Sequence, residues 1–241
     1  MFSDASLTNL NNVATKSELF VLLHAFDISV PLRTEGRTTY HAERWTICRL
    51  LSTLAKNDSL CYPITLMHQD RPDFILQCHR SKIGLEVTEA IPEQYAAYTA
   101  LAEHQFPDTI LEPGHFRWKS AQRTTQEMRE LLGKNQLTSH PWMGDSAERE
   151  WASFFQSVIE TKLLKIAKPG FEIFQDNSLA IYDNLPMPNI NLNKAINFLL
   201  PKLDSVWKST LSFNAIYVEH GTKIVKLSPT EITYLDLHDI W

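Results

Sequence analysis

Residues 71–90 read Arg-Pro-Asp-Phe-Ile-Leu-Gln-Cys-His-Arg-Ser-Lys-Ile-Gly-Leu-Glu-Val-Thr-Glu-Ala. Two short apolar runs, 74–76 and 83–87, flank a polar turn at 79–82. The β-branched residues and the polar break predict a hairpin over 73–88. Each run carries one carboxylate: Asp73 opens the first, just after Pro72, and Glu86 sits inside the second. An acid inside an otherwise apolar strand is costly unless a cation meets it. Side chains alternate faces, so Gly84, Glu86 and Thr88 share one side while Leu85 and Val87 take the other. With the hairpin in register, Asp73 lies close to Glu86. Two carboxylates on neighbouring strands suit a hard divalent ion such as Mg²⁺, which prefers oxygen ligands.

Two helices extend the pattern. Ile47, Leu50, Leu51 and Leu54 fall at helical spacing and predict an amphipathic helix over 40–56. Glu43 aligns with that apolar face in the opening turn, where a carboxylate also suits the helix dipole. A second helix is predicted over 146–168, with Ser146 as a candidate cap and Pro169-Gly170 as its end. At ~100° per residue, Trp151, Phe155, Val158, Ile159 and Ile166 define its apolar face. Lys162 falls near the centre of that face and Lys165 toward its edge. A lysine so placed either reaches an anion or snorkels out to water. Four elements thus each aim one charge inward: Glu43, Asp73, Glu86 and Lys162. Carboxylates could hold one or two Mg²⁺ ions, and a lysine could orient a water or neutralise a phosphate oxygen. That inventory fits metal-assisted phosphodiester hydrolysis.

Outward from these elements the chain is a loose lead-in over 1–18, then an apolar run over 19–30 that suits a short helix or a strand, then a polar loop over 32–39. Pro92, Pro107, Pro113 and Pro141 punctuate 90–145, which looks like an insertion with one or two helical pieces. Strands are predicted at 171–175, 179–183, 213–219, 223–227 and 231–237, with a helix from Asn191 or Asn193 to about 205. Helix, two strands, helix, strand, helix and strands make a mixed α/β arrangement. No low-complexity linker divides the 241 residues, so one elaborated domain is expected.

Composition narrows the chemistry. The net charge of −5 argues against a uniformly basic surface but leaves room for local basic patches. Cys48, Cys61 and Cys78 lack metal-type spacing and suit buried, reduced thiols in a cytoplasm. No apolar run reaches the ~20 residues that span a bilayer, so no membrane association is expected. No two histidines stand four apart as in a His-x-x-x-His zinc pair. The seven glycines form no phosphate loop, which argues against a Walker-type ATPase or a dinucleotide enzyme. A Gly-x-Ser-x-Gly nucleophile elbow is missing too. Within the insertion, Arg117, Trp118, Lys119 and Arg123 mix cations with an aromatic ring, a composition suited to a nucleic-acid backbone and its bases. An ordinary solvated segment with Trp118 tucked in is the competing explanation.

Pro72-Asp73, twelve intervening residues and Glu86-Val87-Thr88 resemble the signature of the PD-(D/E)XK nuclease superfamily, the fold of many restriction endonucleases. The resemblance implies a restriction endonuclease-like core over about 40–89 and 146–240: a central mixed β-sheet flanked by helices, interrupted by the helical insertion. It implies that Asp73, Glu86 and Val87 bind Mg²⁺ or Mn²⁺, that Glu43 matches an acid some members supply from the first helix, and that the substrate is nucleic acid, with DNA the default. Thr88 stands where the signature has lysine; some members recover it from the following helix, which points to Lys162 and then Lys165. Because double-strand cutting usually needs two active sites, a homodimer is an option. A nuclease-like fold without activity, serving as a nucleic-acid-binding or protein-interaction module, is the alternative.

Overall fold

The computed structural model describes residues 8–241; the first part of the expected lead-in, 1–7, lies outside the described residues. The decisive hairpin is formed by β3 (Phe74–Cys78) and β4 (Ser81–Ala90). Its turn is tighter than the polar stretch suggests. Cys78 pairs with Ser81, and His79 takes a left-handed φ of 50°. Phe74 pairs with Leu85, so one step further out Asp73 stands opposite Glu86.

The hairpin belongs to an eight-stranded mixed sheet whose spatial order follows the chain. β1 (Leu10–Val13), β2 (Ile64–His68), β3 and β4 are mutually antiparallel. β4, β5 (Asp176–Asp183) and β6 (Ala215–His220) are parallel. β7 (Lys223–Leu227) and β8 (Ile232–Asp236) return antiparallel. Parallel neighbours need long crossovers, commonly helical. The first runs through α3 (Glu93–Gln105), α4 (Thr125–Lys134) and α5 (Ser146–Ile166). The second runs through α6 (Leu192–Leu199), capped by the Asn191 side chain, and the short α7 (Asp204–Trp207).

Helices cover both faces of the sheet. On one, α1 (Lys16–His24) and α2 (Thr39–Lys56) bury Leu19, Leu23, Ile47, Leu50 and Leu51 against Leu66, Phe74, Leu85 and Val87. On the other, Trp151, Phe155 and Ile159 of α5 join Ile196 and Leu199 of α6 against Leu179, Ile181, Ile216 and Val218. Strand alternation therefore sends Leu85 and Val87 toward α2 and turns Glu86 toward α5. The insertion carries a small core of its own, with Tyr98, Ala102, Phe116, Met128 and Leu132 buried together.

Two expectations need correction and a third is resolved. Residues 10–13 are strand rather than loose lead-in, because Leu10 and Val13 are buried against β2. Of the 19–30 run, left open between helix and strand, 19–24 is helix, started earlier by the Thr15 side chain accepting from the Glu18 N–H, and 25–30 is irregular. Residues 171–175 form no strand; Phe174 packs over Gly84, whose missing side chain makes room for it. No helix among the described residues is long and apolar enough to cross a membrane.

Candidate functional site

Asp73 and Glu86 meet on the α5 face of the sheet, only 6% and 1% exposed. The Val87 main-chain N–H donates to Asp73 Oδ2 at 2.7 Å, which fixes the carboxylate just beyond the end of β3. Glu86 Oε2 is buried with no hydrogen-bond partner. Two lysines descend on this pair from α5. Lys162 Nζ donates to Glu86 Oε1 at 2.8 Å and to the Val87 carbonyl at 2.9 Å. Lys165 Nζ bonds Glu86 Oε1 and lies 3.5 Å from Asp73 Oδ1, so it bridges the two acids. The lysine within the apolar stripe thus reaches an anion, and its neighbour at the stripe edge does as well.

Burial, followed by the adjacent Glu86 charge, pushes the Asp73 carboxyl up to about 7. Burial alone would draw the Lys165 ammonium down. Its bonds to Glu86 and Asp73 outweigh that and raise its pKa above the ordinary value. Two carboxyl groups and two lysine side chains thus share one partly buried site. Asp73, Glu86 and the Val87 carbonyl are hard oxygen donors, and one Glu86 oxygen lacks a partner. This donor set suits a hard divalent cation.

Glu43 lies near rather than within this cluster. It lines a cleft of about 360 Å³ together with Val87, Thr88 and Lys162, and its Oε2 is 3.2 Å from His68 Nε2. Among the described residues no group of three or more His, Cys, Asp or Glu side chains is gathered for a metal.

The basic residues of the insertion are largely tied down. Arg117 Nε donates to Glu150 at 2.8 Å and its guanidinium stacks on Trp142 at 4.9 Å. Trp118 donates its main-chain N–H to Glu150 at 2.6 Å and packs edge-on against Phe154. Arg123 Nη2 lies 3.2 Å from His115 Nδ1. Lys119 is exposed. Arg117, Trp118 and Lys119 line a cavity of about 390 Å³, and Ile91 lines both this cavity and the cleft lined by Glu43 and Lys162. Glu112 and His115, spaced Glu-x-x-His, pair with each other at 3.0 Å, while Glu112 also accepts the Thr138 and Ser139 main-chain N–H groups.

Sequence reasoning misses Asp183 and two arginines of the cleft. Asp183, at the end of β5, accepts from Trp151 Nε1 at 2.6 Å and contacts His220 Nδ1 at 2.7 Å. Arg33 and Arg37 lie in the loop before α2 and line the cleft. An aperiodic polar loop carries no signal that would single them out. No protein-family model, no curated protein and no solved structure matches the chain.

Proposed function

We propose that the chain is a metal-dependent nuclease with a restriction endonuclease-like core, and that its substrate is nucleic acid, by default DNA. The observation that carries this reading is the convergence of Lys162 and Lys165 on Glu86, with Asp73 beside it. The motif lysine missing at Thr88 has two substitutes in contact with the acid pair.

Asp73, Glu86 and the Val87 carbonyl would hold Mg²⁺ or Mn²⁺, with Glu43 assisting from the cleft wall. When bound, the ion would polarise a phosphate oxygen and acidify a water. Lys165, bridging both acids, stands where a cation is wanted and would give way to it. Lys162, held on the Glu86 side by the Val87 carbonyl, is the lysine left to stabilise charge developing on the phosphate. The Arg117, Trp118 and Lys119 cavity would support the flanking strand.

The test is incubation of the full chain with single-stranded DNA, duplex DNA and RNA in Mg²⁺ or Mn²⁺, beside Glu86→Gln and Lys162→Met. Glu86→Gln should abolish cutting. Lys162→Met should slow it by about 10²–10³-fold, the usual cost of one lost charge stabiliser. A wild type that cuts neither DNA nor RNA in either metal overturns the enzyme reading in favour of an inactive binding module.

A further inference from the structure

The cleft lined by Lys162, Val87 and Glu43 adjoins a second one. Arg37 and Ala42 line both this cleft and a second cavity of about 260 Å³, whose walls include Trp45, Tyr182 and Asn184. This path of two adjoining cavities runs from Lys162, past Arg33 and Arg37, to two aromatic rings 6.3 Å apart in an edge arrangement. It lies where β4 and β5 end, and the carboxyl ends of parallel strands are a common place for ligand sites.

Two arginines on this path share one carboxylate. Glu89 is bonded by Arg37 at 2.7 Å and by Asn184 at 2.5 Å, and Glu43 is taken by His68. Arg33 Nη2 lies 3.6 Å from Glu89, and this buried nitrogen has no hydrogen-bond partner. Further along, Trp45 Nε1 is also buried without an acceptor. Arg49 lies over Trp45 at 4.5 Å, so one ring face is covered within the protein while the side chain still lines the cavity. A buried donor left unpaired is costly, and a ligand that supplies acceptors removes that cost.

We infer that this path is a nucleotide subsite beside the scissile phosphate, and that it makes single-stranded nucleic acid the substrate class. The inference rests on the nuclease reading for its choice of ligand. Arg33 and Arg37 take phosphodiester oxygens, for which a guanidinium fork is well shaped. Trp45 and Tyr182 take one unstacked base, and Trp45 Nε1 donates to a base carbonyl. A base held in a duplex stack exposes neither its face nor its pairing edge, so only an unpaired nucleotide can enter.

The test is fluorescence anisotropy of the full chain, in EDTA so that nothing is cut, with labelled oligothymidine and a blunt duplex of matched length. The wild type should favour the single strand. Trp45→Leu should weaken single-strand binding by about tenfold, the scale of one lost base stack. Arg37→Gln and Arg33→Gln should each weaken it and reduce the slope of log affinity against log salt by about 0.7. Duplex binding should not change in any variant. Equal affinity for single strand and duplex, or equal losses on both, overturns the inference even when cleavage is present. Thymidine monophosphate binding as tightly as the oligonucleotide overturns its strand requirement. Single-strand preference without cleavage in Mg²⁺ or Mn²⁺ overturns the nuclease reading and keeps the subsite.

Discussion

At Asp73 proton binding and the proposed metal binding compete. Its folded pKa of about 7 stands above the ordinary 3.8, so the folded state binds the proton more tightly than the unfolded chain. Stability should therefore fall as pH rises from about 4 toward 7, and Asp73→Asn should flatten that fall. A divalent ion must displace the same proton, so the rise in Tm on adding Mn²⁺ should grow as pH passes through 7. A Mn²⁺ shift that stays constant from pH 6 to 8 would remove Asp73 from the ligand set. Lys165 makes the complementary prediction. Lys165→Gln should destabilise the metal-free protein by on the order of 2 kcal/mol, because two acids then share one ammonium. The same variant should respond more strongly to Mn²⁺ than the wild type, since no lysine needs to move aside. An unchanged response in melting experiments would mean that Lys165 does not stand in for the cation. Glu86 and Lys162 are legible in the sequence because each breaks a periodic pattern, and a charge inside an apolar repeat demands a partner; Asp73 follows from the hairpin register that sets it opposite Glu86. The Glu43–His68 contact and the arginines of the 32–39 loop break no pattern.

Elements with regular alternation are legible and irregular ones are not. The hairpin, α2 and α5 declare themselves through periods of two and of about 3.6 residues. β2 alternates as well, with Ile64 and Leu66 buried and Thr65 and Met67 less so, but five residues make a short signal. β1 is weaker still, since its two middle residues are exposed asparagines. The misassigned stretch at 171–175 is apolar for a different reason: Phe174 closes over β4 at Gly84. A Cβ at Gly84 would stand 2.8 Å from Phe174 Cδ2, 3.0 Å from Asn177 Oδ1 and 3.1 Å from Pro72 Cγ. Gly84→Ala should then cost about 1–3 kcal/mol through overpacking. Pro72 carries the adjacent Asp73, so the same change should weaken Mn²⁺ binding. Calorimetry of the variant reads both effects, and a lost stability with unchanged Mn²⁺ affinity would show that the site does not follow Pro72.

Across the whole molecule, the α2 face is tied to the far side of the sheet by charge as well as by packing. Arg49 of α2 donates to Glu219 of β6 at 2.8 Å, both side chains are nearly fully buried, and Arg49 also bonds Asp239 near the end of the chain. Next to it Ser52 Oγ donates to the His238 carbonyl at 2.8 Å, and Trp241 Nε1 donates to the Leu23 carbonyl at 3.1 Å. Residues 237–241 thereby strap α1 and α2 onto the sheet. No periodicity marks a partnership between residues so far apart in sequence, which is why this tie is invisible before the fold is known. Burial raises the Glu219 carboxyl, and Arg49 opposes that rise. Arg49→Leu should cost about 3–5 kcal/mol, because it leaves Glu219 as an uncompensated buried charge. Glu219 would then titrate higher still, so the loss should be larger at pH 8 than at pH 5. The double variant Arg49→Leu with Glu219→Leu removes the charge along with its partner and should recover most of the stability. Urea unfolding at both pH values separates the causes. If the double variant is no more stable than Arg49→Leu, the tie works through shape rather than charge. That distinction reaches the nucleotide subsite, because the Arg49 guanidinium is also the surface on which Trp45 rests.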